Sequence, residues 1–199
     1  MGSLCHRRTP LVLILSTLAI LFHGGLGITP ARAGDTAAPG QTTLLSSAPD
    51  FTGVGVDGKN YRLTELLKQG PVLIDFWTTW CKPCMLEMPK LQDVWQRHKT
   101  QGFTLLGIPS DDQKTTAKVK PKIQQMGFVF PNIPDPTRRI GNAYNVRQFP
   151  TTVLIAPDGK IVKVPQGFRP GDEKEWERRI VELLGPGGGA PAGTESGVG

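Results

Sequence analysis

The sequence predicts an α/β domain with a central mixed β-sheet and helices on both faces of that sheet. Two observations carry the prediction. Over residues 72–126 the order strand, helix, strand, helix is typical of a β–α–β unit whose two strands run parallel. Around Pro157-Asp158-Gly159-Lys160, two extended runs flank a tight turn, which indicates antiparallel strands in the same domain.

The domain is expected to begin with an added β-hairpin. Residues 51–56 and 59–63 are short extended runs, and Asp57-Gly58 between them favours a turn with positive φ. Residues 64–67 read as one helical turn, which Gly70-Pro71 ends. This hairpin therefore precedes the first strand of the main sheet.

That first strand is expected at 72–76, and a helix is expected from about residue 83 to 100. One face of the helix carries apolar side chains at steps of four, three and four residues: Cys84, Met88, Leu91 and Trp95. Pro89 lies inside the helix and predicts a kink there.

The second half of the domain is expected to alternate short strands and helices. Residues 103–108 predict a strand, and 113–126 predict a polar helical insertion that Pro121 bends or splits. The remaining expected elements are a strand at 128–130, a helix at 138–144, strands at 149–155 and 161–164, and a helix at 172–184. Asp172 and Glu175 resemble a capping box for the last helix.

Two cysteines, Cys81 and Cys84, stand at the junction between the first strand and its helix. A C-x-x-C at such a junction is typical of a redox dithiol, because the spacing lets the two sulfurs bridge. Unpaired backbone N–H groups and the positive helix end stabilise a thiolate at Cys81, which is the form that attacks a disulfide. A purely structural bridge is the alternative, but so short a loop constrains the unfolded chain little.

The first 33 residues have the pattern of an export signal. A basic start at Arg7-Arg8 precedes an apolar run at 11–22, and Ala31-Arg32-Ala33 is a small-x-small cleavage site. Because the apolar run is shorter than the ~20 residues that cross a bilayer, we expect cleavage after Ala33, with retention as an uncleaved anchor as the alternative. The domain is then expected in the periplasm or on the extracytoplasmic face of the inner membrane.

Three segments are expected after the signal. Residues 34–47 form a linker rich in Gly, Ala, Thr and Ser, 48–184 form the domain, and 185–199 form a disordered tail of mostly Gly, Ala and Pro. Because Cys5 belongs to the signal, only Cys81 and Cys84 remain in the exported part.

The net charge of +6 does not indicate nucleic-acid binding. Three of the 23 basic side chains and no acidic ones precede residue 34, and no run of Lys and Arg alternates with aromatics. Two cysteines cannot form a four-ligand zinc site, so we expect no metal and no cofactor. Soft thiolates also suit Cu(I), which leaves a Cu(I)-binding protein as the alternative from a different class.

Four motifs together suggest a known family. Trp80-Cys81-Lys82-Pro83-Cys84 behind Asp75-Phe76-Trp77 looks like a thioredoxin active site. The other motifs are Ala48-Pro49-Asp50-Phe51, Glu87 in the helix, and Phe149-Pro150-Thr151-Thr152. Over residues 48–184 the chain resembles the exported TlpA/ResA/CcmG-like thiol-disulfide oxidoreductases. The resemblance implies a thioredoxin fold with an N-terminal hairpin and a helical insertion.

The resemblance also implies residue roles. Cys81 is expected to be the exposed attacking thiol and Cys84 the more buried resolving thiol. Asp75, where many exported relatives carry an uncharged residue, is expected to take the proton of Cys84. Glu87 is expected to tune the cysteines, with a solvated helix charge as its alternative. The substrate surface is expected to comprise Trp80, Lys82, Pro83, Phe149 and Pro150, the last as a cis-proline.

The function that the resemblance implies is thiol-disulfide exchange outside the cytoplasm. The reducing direction is favoured, on client proteins with disulfides, with apocytochrome c as the leading client. Electrons are expected from a membrane thiol transporter of the CcdA/DsbD type. An oxidase that donates disulfides is the first alternative. A peroxidase would use Thr78 in a Thr-x-x-Cys context, but the nearby Cys84 and Trp80 argue against it.

Overall fold

The computed structural model describes residues 47–162 and 167–185. Its elements are β1 Thr52–Val54, β2 Asn60–Arg62, α1 Leu63–Leu67, β3 Val72–Trp77, α2 Lys82–His98, β4 Thr104–Pro109, α3 Val119–Met126, α4 Arg139–Ala143, β5 Thr151–Ile155, β6 Ile161–Val162 and α5 Asp172–Leu184. The predicted signal, the tail, nearly all of the linker and the end of the predicted strand at 161–164 lie outside the described residues.

The main sheet has four strands in the order β4-β3-β5-β6. β3 pairs with β4 in parallel, and it pairs with β5 antiparallel. β5 in turn pairs antiparallel with β6. The mixed sheet and the parallel β–α–β unit are therefore confirmed, with β3 as a central strand that ends next to the cysteines.

β3 is fully buried, and its side chains alternate between two cores. Leu73 and Trp77 belong to the core that α2 and α5 cover, together with both cysteines. The second core, on the other face, takes the intervening side chains of β3 and residues of α1 and α4. Because strand side chains alternate with a period of two, Asp75 shares the cysteine side with Leu73 and Trp77.

The N-terminal hairpin is also confirmed. β1 and β2 form their own antiparallel pair, and Gly58 between them has φ 79°. Phe51 before the hairpin and Leu63 after it are buried in the second core. The hairpin therefore extends the domain on the face opposite the cysteines.

The strand predicted at 128–130 is wrong. Phe128 and Phe130 are buried in the cysteine-side core, but the backbone between them bonds to a side chain instead of a strand. Gln92 of α2 accepts from Val129 N at 2.8 Å and donates to Gly127 O at 3.2 Å. The two phenylalanines alternate with Val129 because both pack into the core from a loop, and the Gln92 side chain binds the backbone of that loop.

Two helix starts also differ from the predictions. The insertion is a 3-10 turn at Thr116–Lys118 followed by α3, so Pro121 lies in the first turn of a helix, where it removes no intrahelical bond. For α5 the N-cap is Gly171, and no side chain caps the helix. Glu175 pairs with arginines further along α5 instead of closing a capping box.

Candidate active site

The two cysteines form a disulfide at the start of α2. The S–S distance is 2.03 Å and the Cα–Cα distance is 5.4 Å. Cys81 is the N-cap residue, and its Sγ accepts from Cys84 N at 3.2 Å. The first turn of α2 contains a proline and no acidic side chain. A Cys81 thiolate therefore meets a backbone N–H and the positive end of a 17-residue helix.

Cys81 is less exposed than predicted. It is 5% exposed, whereas Cys84 is 0% exposed. Cys84 is the more buried of the two, as predicted. In the disulfide state, however, both cysteines belong to the core between β3 and α2. A client disulfide must therefore come close to the helix end to reach Cys81.

Two loops meet beside the disulfide. Trp80, directly before Cys81, is 66% exposed, and its ring contacts that of Phe149 edge to face with centroids 5.9 Å apart. The Phe149-Pro150 peptide bond is cis, as the resemblance implied. The structure thus brings the predicted substrate residues of both loops together, while Lys82 and Pro83 lie exposed on the first turn of α2.

Asp75 is completely buried on β3, and neither of its carboxylate oxygens has a hydrogen-bond partner. Burial raises the pKa of Asp75 well above its ordinary value, and the charge of Glu87 raises it further. A carboxyl group in this state holds its proton at a pH where an exposed aspartate has lost it.

Glu87 is 1% exposed on α2, so its alternative reading as a solvated helix charge is wrong. Its Oε1 accepts from the Thr152 hydroxyl at 3.0 Å, and its Oε2 is buried without a partner. Burial raises the pKa of Glu87 to about 7, although the Thr152 hydrogen bond lowers it and Asp172 raises it. Thr152 is also the cross-strand neighbour of Asp75. Asp75, Glu87 and Thr152, here called the carboxyl cluster, therefore lie together in the core.

Sequence reasoning missed the residue that holds the loop before the cysteines. Asp111 is buried after β4, accepting from Thr79 N at 2.9 Å and from the Thr79 hydroxyl at 2.5 Å. The neighbouring Asp112 instead accepts from the backbone N and the hydroxyl of Thr115 in its own turn. Nothing in the sequence separates the two neighbouring aspartates.

A groove of about 430 Å³ opens next to Trp80. This side groove is lined by Trp80, Ser110, Asp112, Thr115, Arg138, Arg147, Gln148 and Phe149. Sequence reasoning placed only the two aromatic residues at the site. Arg138 directly precedes α4 and Arg147 follows it, and a helical pattern does not show which flanking side chains line a groove.

The chain is similar to known thiol-disulfide oxidoreductases. The model of the AhpC/TSA family matches residues 45–164. A thiol-disulfide oxidoreductase ResA from Geobacillus thermodenitrificans is 36% identical over 141 residues, which are 71% of this chain and 78% of the relative. The chain belongs to the AhpC/TSA family and is a ResA-like thiol-disulfide oxidoreductase.

Other relatives and solved structures agree. ResA from Bacillus subtilis is 36% identical over 61% of this chain and 66% of its own. A thiol:disulfide interchange protein of the thioredoxin family from Chlorobium tepidum superposes with a TM-score of 0.61 at 29% identity, over 70% of this chain and 97% of its own. The thioredoxin domain of a thiol-disulfide oxidoreductase from Bacteroides vulgatus superposes with a TM-score of 0.59 at 27% identity. The match covers 68% of this chain and 96% of that domain. The predicted thioredoxin fold is confirmed.

The described residues of the ResA-like chain contain neither a metal cluster nor a membrane-spanning helix. Among residues 47–162 and 167–185, no group of three or more His, Cys, Asp or Glu side chains is placed to hold a metal ion. Within the same ranges, no helix has the length and apolar character needed to span a membrane.

Proposed function

We propose that Cys81 and Cys84 perform the thiol-disulfide exchange, in the reducing direction, on client proteins outside the cytoplasm. One observation carries this proposal: a bridged C-x-x-C at a helix N-terminus lies in the same core as two buried carboxyl groups. The positive helix end favours the thiolate, and buried carboxyl groups with raised pKa values can exchange protons near neutral pH.

The exchange takes two displacement steps. The Cys81 thiolate attacks one sulfur of the client disulfide, which forms a mixed disulfide and releases the other client sulfur as a thiolate. The Cys84 thiolate then attacks the Cys81 sulfur, which forms the Cys81–Cys84 bridge and releases the second client thiolate. Two electrons thus pass from the enzyme dithiol to the client.

The second step requires that the Cys84 thiol lose its proton inside the core. We assign Asp75, in its carboxylate form, as the acceptor of that proton, because burial raises its pKa and makes the carboxylate a stronger base than that of an exposed aspartate. Glu87 is one helical turn from Cys84, and we assign it to tuning the pKa values of Asp75 and the cysteines through its charge.

The direction and the partners rest on the resemblance to the TlpA/ResA/CcmG-like enzymes. A reductase needs a source of electrons, and we propose a membrane thiol transporter of the CcdA/DsbD type. Apocytochrome c is the proposed client. The signal pattern in residues 1–33 supports a location in the periplasm or on the extracytoplasmic face of the inner membrane.

Trapping of the mixed disulfide tests the assignment of the two cysteines. Cys84→Ser is expected to accumulate a covalent adduct with a disulfide-containing peptide, because the resolving thiol is missing. Cys81→Ser is expected to form no adduct with the same peptide. Mass spectrometry of the unreduced reaction distinguishes these results, and an adduct on Cys84 in the second variant contradicts the assignment.

A further inference from the structure

The side groove has no part in the electron and proton steps proposed above. It adjoins Trp80, whose neighbour is Cys81, and Phe149, whose neighbour is Pro150. A client chain whose sulfur is bonded to Cys81 therefore has this groove directly beside it. The chemistry of the groove wall determines which client chains fit.

Arg138 is held in a fixed position at this wall. Its backbone has φ 58°, and its amide N donates to Asp135 O at 2.9 Å just before α4. Its Nη2 donates to Val146 O at 3.0 Å, and its guanidinium carbon lies 5.2 Å from the centroid of the Phe149 ring. Because these contacts already order the side chain, binding a ligand to it costs little further conformational entropy.

The groove contains two guanidinium groups without a carboxylate partner. In the described parts of the chain, neither Arg138 nor Arg147 forms an ion pair, and Arg147 is exposed with no side-chain hydrogen bond. By contrast, four arginines in these residues do form an ion pair with a glutamate or an aspartate: Arg62, Arg97, Arg178 and Arg179. Two unpaired positive charges along one groove favour an anionic ligand.

One carboxylate does line the groove, on the wall that follows β4. Asp112 Oδ1 accepts from Thr115 N at 2.9 Å and from the Thr115 hydroxyl at 2.8 Å. These bonds lower its pKa, with the Thr115 hydroxyl as the main cause, so Asp112 remains charged at neutral pH. It is engaged in its own turn, and the two walls of the groove therefore carry opposite charge.

We propose that the side groove binds the client chain next to its reacting cysteine, and that Arg138 and Arg147 bind a carboxylate of that client. Guanidinium groups pair with carboxylates in a planar, often bidentate geometry, which suits Asp, Glu or a chain-terminal carboxylate. The preferred substrates are then client segments with a carboxylate within a few residues of the cysteine. This inference rests on the proposed exchange at Cys81.

Peptides with matched charges test the proposal. Each peptide contains one cysteine as a mixed disulfide with neutral 2-mercaptoethanol, has both ends blocked, and carries Glu or Gln at one of three positions on either side of the cysteine. A further peptide without Glu keeps its terminal carboxylate. The reduced full-length protein is mixed with each peptide, and the second-order rate constant for disulfide exchange is measured.

The wild type is expected to react about fivefold faster with Glu than with Gln in at least one register, as is typical of a partly exposed ion pair. Arg147→Gln is expected to remove that preference, and Arg147→Lys to keep part of it. Arg139→Gln is the control, because Arg139 has the same charge and is exposed but does not line the groove. The preference is also expected to shrink in high salt.

The two proposals fail in different ways. Equal rates for Glu, Gln and terminal-carboxylate peptides, or a preference that Arg147→Gln leaves intact, overturn the assignment of the groove. A neutral small disulfide, bis(2-hydroxyethyl) disulfide, reports the dithiol chemistry alone. If the reduced protein exchanges with neither this compound nor any peptide, the proposed function itself fails.

Discussion

The two sides of the Cys81–Cys84 bridge differ in almost every physical property. The inner side is the carboxyl cluster, which is buried and has a single hydrogen bond, from Thr152 to Glu87. The outer side is the exposed Trp80 and the side groove, whose two arginines form no ion pair with another described residue. The proposed proton transfer and the proposed client recognition therefore lie on opposite sides of the disulfide. Substitutions in the carboxyl cluster should change the exchange rate of every disulfide substrate alike. Substitutions in the side groove should change the rate for some substrates more than for others.

The largest inner effect is expected for Asp75→Asn. An amide cannot take the proton of Cys84, so resolution of the mixed disulfide is expected to slow by about 10²-fold for peptide and small disulfides equally. Stopped-flow measurement of the second displacement checks this rate. Asp93→Asn, an exposed change on α2, serves as the control. A slowing limited to peptide substrates contradicts the separation of the two sides.

Glu87→Gln is expected to change how stability depends on pH. The pKa of Glu87 is raised to about 7, above its unfolded value of ~4.3, so the folded protein keeps a proton that the unfolded chain releases between these pH values. Stability due to this group therefore falls as the pH rises through that window, by about 4 kcal/mol in total.

Urea unfolding of the oxidised protein at pH 4.5 and 7.5 measures this loss. Glu87→Gln is expected to lose less stability over the window than the wild type. The exposed Glu65→Gln is expected to behave like the wild type. Identical pH dependence in all three proteins would contradict the raised pKa of Glu87 in the folded state.

Thr152→Val is expected to have a smaller effect, which is confined to the carboxyl cluster and does not depend on the substrate. The Thr152 hydroxyl lowers the pKa of Glu87, so its removal raises that pKa and moves the pH midpoint of exchange to higher pH. Thr152→Ser keeps the hydroxyl and is expected to keep the midpoint. The pH profile with bis(2-hydroxyethyl) disulfide provides the measurement, and an equal displacement in both variants contradicts the role of the hydrogen bond.

The smallest effect is expected for Lys82→Gln on the outer side. Lys82 lies between the cysteines but is exposed, so solvent screens its charge and the rate of exchange is expected to change by less than about threefold. The initial rate of Cys81 alkylation in the reduced protein measures this. A drop of more than tenfold would assign to Lys82 the stabilisation here attributed to the helix end.

Most of the fold could be predicted because it follows from local periodicity. β3, α2 and β4 each have a continuous apolar pattern, and the structure places them within a few residues of the predictions. The strand expected at 128–130 failed because its alternation comes from two phenylalanines packed into a core, with Gln92 binding the loop backbone. A bond between residues 37 positions apart leaves no mark on a local pattern.

The residues of the candidate site likewise fall into those that a local motif predicts and those that depend on contacts between distant segments. The cysteines and the cis-proline motif could be predicted because they lie in short motifs. Asp111 and the two groove arginines could not, because their roles depend on where separate loops meet in space. Asp111 binds Thr79 from 32 residues away, and its neighbour Asp112 carries an identical side chain. Only the three-dimensional structure distinguishes them.

The reduction potential of the Cys81–Cys84 pair tests the central claim most directly. The purified protein is equilibrated with dithiothreitol or glutathione buffers at pH 7, and the fraction of dithiol is measured by alkylation and mass spectrometry. A reductase of this kind is expected to give a value near −270 mV, as thioredoxin does. A value near −120 mV, as in DsbA, would contradict the account and make the protein a donor of disulfides.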